Sequence, residues 1–200
     1  MRVARRQSSH LGRSAAARQL EEGLGRVSHL LSQLLTIARI EAGGSGGTRE
    51  SLDVAELVRI RVASFAARAR QRSIAVELIA PQTLDFSVDR AGFNSVVDNL
   101  IDNAIRYAPA GGSVDVSLSM ESTGLLLTVR DNGPGIPEAY LEKVFERFYR
   151  IPGNSQSGSG LGLSIVQKVA AAHHATIQLV RGLDQRGLGV IVLFPATSAT

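Results

Sequence analysis

Residues 113–131, SVDVSLSMESTGLLLTVRD, constrain the fold more than any other stretch. Two runs of strand-forming residues flank Glu-Ser-Thr-Gly, and the first alternates between apolar and polar side chains. A period of two on either side of a short Gly-containing turn predicts an antiparallel hairpin. A second strand pair, TIQLV (176–180) and GVIVLF (189–194), lies near the C-terminus. VAELVRIRVASFAARARQ (54–71) and DRAGFNSVVDNLIDNAIRY (89–107) predict helices, with Asp89 as N-cap and Ala108-Pro109 as the stop for the second. IAVELIA (74–80) and FSV (86–88) predict strands, and a further helix begins at Leu161. Residues 132–160 hold three of the six prolines and predict a long loop with a short helix near 138–147. This order is not a regular strand–helix alternation. The predicted class is α+β: a mixed, mostly antiparallel sheet with helices on one face.

GGSGG at 43–47 has little side chain to bury and reads as a flexible joint. The expected organisation is a helical segment over 1–43, a linker over 44–50 and a domain over 51–200. Before the joint, Leu20, Leu24, Val27, Leu31, Leu34 and Ala38 follow an alternating four-three spacing. That is a bundle seam, widened by Leu30, Leu35 and Ile37, and it predicts a homodimer through residues 20–42.

Composition excludes several classes. With no Cys, a disulfide framework and Cys-ligated metals are out. No apolar run approaches about 18 residues, so no membrane-spanning helix is expected. The net charge is +4, yet the basic residues are scattered and aromatics make up only 4%, so nucleic acid is not an expected partner.

Four stretches carry candidate chemistry. Asn99 and Asn103 are four apart and share a helix face that Arg106 and Tyr107 continue. Neutral amide oxygens suit a hard cation such as Mg²⁺, and Arg106 suits phosphate; the ordinary alternative is two amides satisfying backbone groups. In RDNGPGIP (130–137), Asp131 could accept from an adenine amine, with Gly133 and Gly135 admitting the ring, or simply form an Asx turn. VFERFYRIPG (144–153) spaces Phe145 and Phe148 three apart on one helix face, as loop-fastening residues, followed by Tyr149 and Arg150. SGSGLGLSIV (157–166) lets backbone N–H groups converge at a helix start, although glycines alone could be loop punctuation.

In this order, the four resemble the N, G1, F and G2 boxes of sensor histidine kinases, members of the GHKL ATPase superfamily. LLSQLLTIARIEAGG resembles the second helix of their dimerisation domain, and the resemblance runs from about residue 19 to the end. It implies a Bergerat-type sandwich that binds ATP and Mg²⁺, with Asn103 as metal ligand and Asn99 as polar support. It implies that Arg106, Tyr107, Tyr149 and Arg150 touch phosphate or nucleotide. Asp131, Gly133, Gly135 and Ile136 would line the adenine pocket, and Gly158, Ser159, Gly160, Leu161, Gly162 and Leu163 would cradle phosphates. Asn99, Asn103, Arg106 and Arg150 would form the catalytic set.

Gyrase-like relatives carry a water-activating Glu at the place of Asn99. An amide cannot act as that base, which favours phosphoryl transfer over hydrolysis. Asp98 and Asp102 lie about 100° round the helix from the asparagines and are not assigned as bases. The resemblance implies transfer of the γ-phosphoryl to a histidine and then to a response regulator receiver domain. It also implies a cytoplasmic location within a longer kinase of the bacterial inner membrane, with membrane contact only through upstream segments. The chain departs from the family at the acceptor. His10, His29, His173 and His174 all lack the His-Glu-Leu-Arg context. His173 and His174 end a helix, where a cation is favoured. The acceptor is therefore expected from a His-box helix of the parent kinase. Two alternatives stand beside this: an ATP-binding dimerisation module without turnover, and a Ser/Thr kinase of the anti-sigma type.

Overall fold

The computed structural model describes residues 48–153, 156 and 158–196, together with residues 23, 31, 33, 35 and 38. Contacts divide the chain into units of Met1–Leu35 and Thr36–Thr200. Of the predicted 20–38 seam, Gly23, Leu31, Gln33, Leu35 and Ala38 are described, and all five are helical. The rest of the seam, with His10 and His29, lies outside the described residues.

In the second unit the described elements run β1 (Glu50–Asp53), α1 (Val54–Gln71), β2 (Ala75–Ile79), β3 (Asp85–Val88), α2 (Arg90–Tyr107), β4 (Ser113–Glu121) and β5 (Gly124–Asp131). Two 3₁₀ turns, Glu138–Tyr140 and Lys143–Phe145, precede α3 (Gly162–Ala172), β6 (Thr176–Arg181), a turn at Leu183–Gln185 and β7 (Leu188–Pro195). The main sheet has the order β2-β4-β5-β7-β6. Only β2 and β4 pair in parallel; the other neighbours are antiparallel. The sheet is thus mixed and mostly antiparallel, as the sequence predicts. β1 was not foreseen. It pairs with β3 in a separate two-stranded ladder that sets Leu52 opposite Phe86.

Alternation explains the core. Val114, Val116 and Leu118 on β4 face the same side as Leu125, Leu127 and Val129 on β5 and Val190, Val192 and Phe194 on β7, and all nine are buried. Phe93, Val97, Leu100, Ile101 and Ile105 of α2 and Ile165, Val166 and Val169 of α3 complete this cluster. Phe93 meets Phe194 with ring centroids 5.6 Å apart. Asp89 caps α2, as expected, by accepting from Gly92 N–H at 2.7 Å and Ala91 N–H at 3.3 Å. Asp53 does the same for α1 and also accepts from Leu84 N–H at 3.1 Å, tying the helix start to the approach of β3. Among the described residues, no helix is long and apolar enough to cross a membrane.

Candidate functional site

The packing of α2 against α3 builds the centre of the site. A Cβ placed on Gly162, the first residue of α3, would lie 3.0 Å from Asn103 Nδ2, 3.2 Å from Asn103 Oδ1 and 3.4 Å from Asn99 Oδ1. The two amides therefore line up beneath a helix start whose N-cap residue, Leu161, gives no side-chain cap bond. Asn99 is buried and donates through Nδ2 to the Ser95 carbonyl at 2.8 Å, four residues back. Its donor group thus satisfies backbone, and its oxygen faces Gly162.

One turn further along α2, Arg106 meets the glycine loop. A Cβ on Gly158 would stand 2.5 Å from Arg106 Nη1. Loop backbone thus packs directly against the Arg106 guanidinium. Ser159 Oγ accepts from Leu161 N–H at 3.2 Å, which tightens the turn into α3. Burial lowers the Arg106 pKa from its usual high value.

The strand end of β5 forms the other half. Asp131 is 4% exposed and accepts through Oδ1 from Gly133 N–H at 2.7 Å and Leu188 N–H at 3.3 Å. The first bond is the Asx turn that the sequence allows; the second ties the carboxylate to β7. Burial raises its pKa above the ordinary 3.8, and the two N–H bonds oppose that shift. The surrounding glycines are close. A Cβ on Gly133 would lie 2.6 Å from the Tyr107 carbonyl oxygen, and one on Gly187 would lie 2.0 Å from that of Asp131. Gly135, at φ +71°, faces the Gly187 carbonyl. Tyr107, Asp131, Gly133 and Gly135 thus gather at one place, with Ile136 half-buried beside them in sequence. Gly182, Gly187 and Leu188 belong to the same place and were missed, because a lone glycine in a β-turn gives no motif.

The loop between these halves corrects the sequence reading in two ways. The expected helix at 138–147 is instead a pair of 3₁₀ turns, the second ending at Phe145. Phe145 and Phe148 therefore do not share a helix face. Phe148 sits at φ +62° and is 66% exposed. Its backbone, not its ring, fastens the loop: Phe148 N–H donates to the Gly160 carbonyl at 2.9 Å. A Cβ on Gly160 would lie 2.6 Å from the Phe148 carbonyl carbon, so that closure needs glycine. Tyr149 meets Tyr140 at 6.5 Å between ring centroids, and Arg150 Nη2 donates to the Gln156 carbonyl at 2.5 Å. Tyr149 thus meets a ring in its own loop, and Arg150 a carbonyl there. Leu161 is buried and Leu163 half-buried against the core.

Comparison with known proteins now decides the family. Residues 88–198 match the model described as "Histidine kinase-, DNA gyrase B-, and HSP90-like ATPase". The chain belongs to this ATPase family. Its relatives include the swarming motility regulation sensor protein RssA of Serratia marcescens, 35% identical over 177 residues. That match takes in 88% of this chain and 38% of RssA. The sensor protein QseC of Salmonella typhi is 41% identical over 171 residues, covering 84% of this chain and 36% of QseC. The solved mycobacterial sensor histidine kinase MprB aligns with a TM-score of 0.63 at 31% identity, over 74% of this chain and 97% of that one. The chain thus corresponds to the C-terminal part of sensor histidine kinases and spans little more than a third of the curated relatives it matches. Family membership implies nucleotide binding.

His173, at the end of α3, is 2% exposed, and burial together with the Arg49 charge lowers its pKa. It is a buried residue whose ring centroid lies 6.1 Å from that of Phe194.

Proposed function

We propose that this chain binds Mg·ATP between α2 and α3 and transfers the γ-phosphoryl to a histidine carried on a separate helix, as the catalytic part of a sensor histidine kinase. The observation that carries the reading is the meeting of Gly162 with Asn99 and Asn103, where a side chain at 162 would fill the space beside both amides. Among the described residues no three His, Cys, Asp or Glu side chains gather as a metal site. The donor fitted to a cation is the Asn103 amide oxygen, acting together with phosphates that arrive with the nucleotide. Bound Mg²⁺ would neutralise developing charge on the phosphoryl oxygens.

The chain's own groups supply recognition and positioning. Asp131 holds its Oδ1 against Gly133 and Leu188 N–H and presents Oδ2 to an adenine amine. Arg106 and the N–H groups from Gly158 to Leu163 receive phosphate oxygens, helped by the positive end of α3. Tyr149 and Arg150 close over the nucleotide from the loop. Asn99 offers no basic group to a water, so hydrolysis is not promoted. The domain boundaries at 43 and 51, the homodimer through residues 20–42 and a response regulator as the phosphoryl's destination belong to the same proposal.

The acceptor is tested in trans. The chain is mixed with a catalytically dead sensor kinase that keeps its His-box helix, and labelled ATP is added. Acid-labile phosphate on the partner is the expected result. Acid-stable phosphoserine overturns the histidine-kinase reading in favour of a Ser/Thr kinase. Tight ATP binding without transfer favours a nucleotide-binding module, a reading consistent with the burial of His173.

A further inference from the structure

Asp102 lies on α2, beside Asn103 in sequence, with its side chain 6% exposed. A buried carboxylate is costly unless it is paired and hydrogen-bonded. Both of its oxygens are engaged. Oδ1 accepts from Arg68 Nη1, on α1, and Oδ2 accepts from Arg106 Nη2 at 2.5 Å, one turn along α2. Arg106 is itself mostly buried, with its side chain 17% exposed. Its Nη1 is the group against which Gly158 packs. The carboxylate therefore grips one edge of the Arg106 guanidinium while another edge meets the glycine loop.

One carboxylate stands between two guanidinium groups, Arg68 and Arg106, and of these Arg106 meets the glycine loop. A guanidinium facing a glycine loop suits a phosphate. A planar guanidinium recognises phosphate well only when its orientation is fixed. We propose that Asp102 is a positioning residue for phosphate recognition: with Arg68 as its second clamp, it fixes the Arg106 guanidinium beneath the loop at Gly158. The inference rests on the nucleotide site proposed above.

The test compares ligands with and without phosphate. Dissociation constants for ATP and for adenosine are measured on the whole chain and on Asp102→Asn. The ratio of the adenosine constant to the ATP constant isolates what the phosphates contribute, and a loss of general packing would weaken both ligands together. The ratio should fall about tenfold or more in Asp102→Asn, the worth of one charge-assisted hydrogen bond, with adenosine affinity kept. Combining Asp102→Asn with Arg106→Gln should add little to the loss from Arg106→Gln alone. An unchanged ratio, a parallel loss of both ligands, or additive losses in the pair would each overturn the proposal. If Asp102→Asn melts too low to titrate, Asp102→Glu replaces it. That variant keeps the charge but moves the carboxylate by one methylene, and the same fall in the ratio is expected; an unchanged ratio counts against the proposal. Failure of the parent chain to bind either ligand would instead sink the nucleotide site itself.

Discussion

Gly162 and Asn103 meet so closely that a methyl group at 162 would stand 3.0 Å from the amide nitrogen. Alanine is ordinarily better than glycine inside a helix by about 0.5–1 kcal/mol. Gly162→Ala should therefore leave the melting temperature unchanged or slightly raised. It should also push the Asn103 and Asn99 amides away and weaken Mg·ATP binding by about tenfold. Thermal melts and titration calorimetry together read the opposite signs. A variant that binds as the parent does would remove the main support for the site.

Asn103→Ala addresses the cation alone. ATP affinity should become nearly independent of added Mg²⁺, whereas the parent should bind more tightly with it. Circular dichroism should show the same fold, because the Asn103 side chain is only half-buried. A Mg²⁺ response equal to the parent's would exclude Asn103 as the ligand.

Asp131→Asn should reduce the preference for adenine over guanine nucleotides by about tenfold, as a charged acceptor is lost. A pH dependence accompanies it. Burial raises the Asp131 pKa, so its contribution to stability is full below the unfolded value of 3.8 and is lost as pH rises through the folded value. Ligand binding runs the other way, since adenine needs the ionised form. Adenine affinity in the parent should fall with pH before ordinary carboxylates protonate, whereas Asp131→Asn should be flat over that range. Parallel profiles would mean that Asp131 does not read the base.

The parts of this fold legible in the sequence are those with a clear local period. The hairpin of β4 and β5, and helices α1 and α2, fall within a residue or two of their predicted limits. β1 is four residues, ESLD, and it exists because β3 pairs with it, which no local pattern records. The Phe145–Phe148 spacing fits a helix, yet the chain leaves helical geometry at Glu146 and turns left-handed at Phe148 to reach Gly160. The candidate site is legible as an ordered set of motifs. Its support was not: Arg68 and Asp102 are 34 residues apart on different helices, and spacing does not encode that meeting.

Arg72 illustrates the same point with a measurable cost. Just after α1, it donates through Nη1 to the Ile105 and Arg106 carbonyls and through Nη2 to Ala108 at 2.9 Å. The first two are last-turn carbonyls of α2 and the third belongs to its C-cap; none has a helical partner, and they lie at the negative end of the dipole. Arg72→Ala should lower stability by about 2 kcal/mol. Arg72→Lys should recover only part, because one ammonium cannot fork across three carbonyls. Urea midpoints at constant slope provide the measure, and a loss within experimental error would show that water replaces the clamp.

His173 gives the domain a second pH dependence, of opposite sign to that of Asp131. Its ring is buried, and its Nε2 has no hydrogen-bond partner. Burial, Arg49 and His174 lower its pKa, and Asp89 partly opposes them. Arg49 also donates to the His173 carbonyl at 3.1 Å, holding a cation beside the ring. For a lowered pKa, the stability contribution is full above the unfolded value of 6.5 and is lost as pH falls through the folded value. The slope can reach about 1.4 kcal/mol per pH unit for a single group. The parent should therefore lose melting temperature between about pH 7 and pH 5 more steeply than His173→Gln, which stays neutral throughout that range. Equal slopes would mean that His173 takes up its proton in the fold as easily as in water, and that burial beside Phe194 and Arg49 leaves its titration untouched.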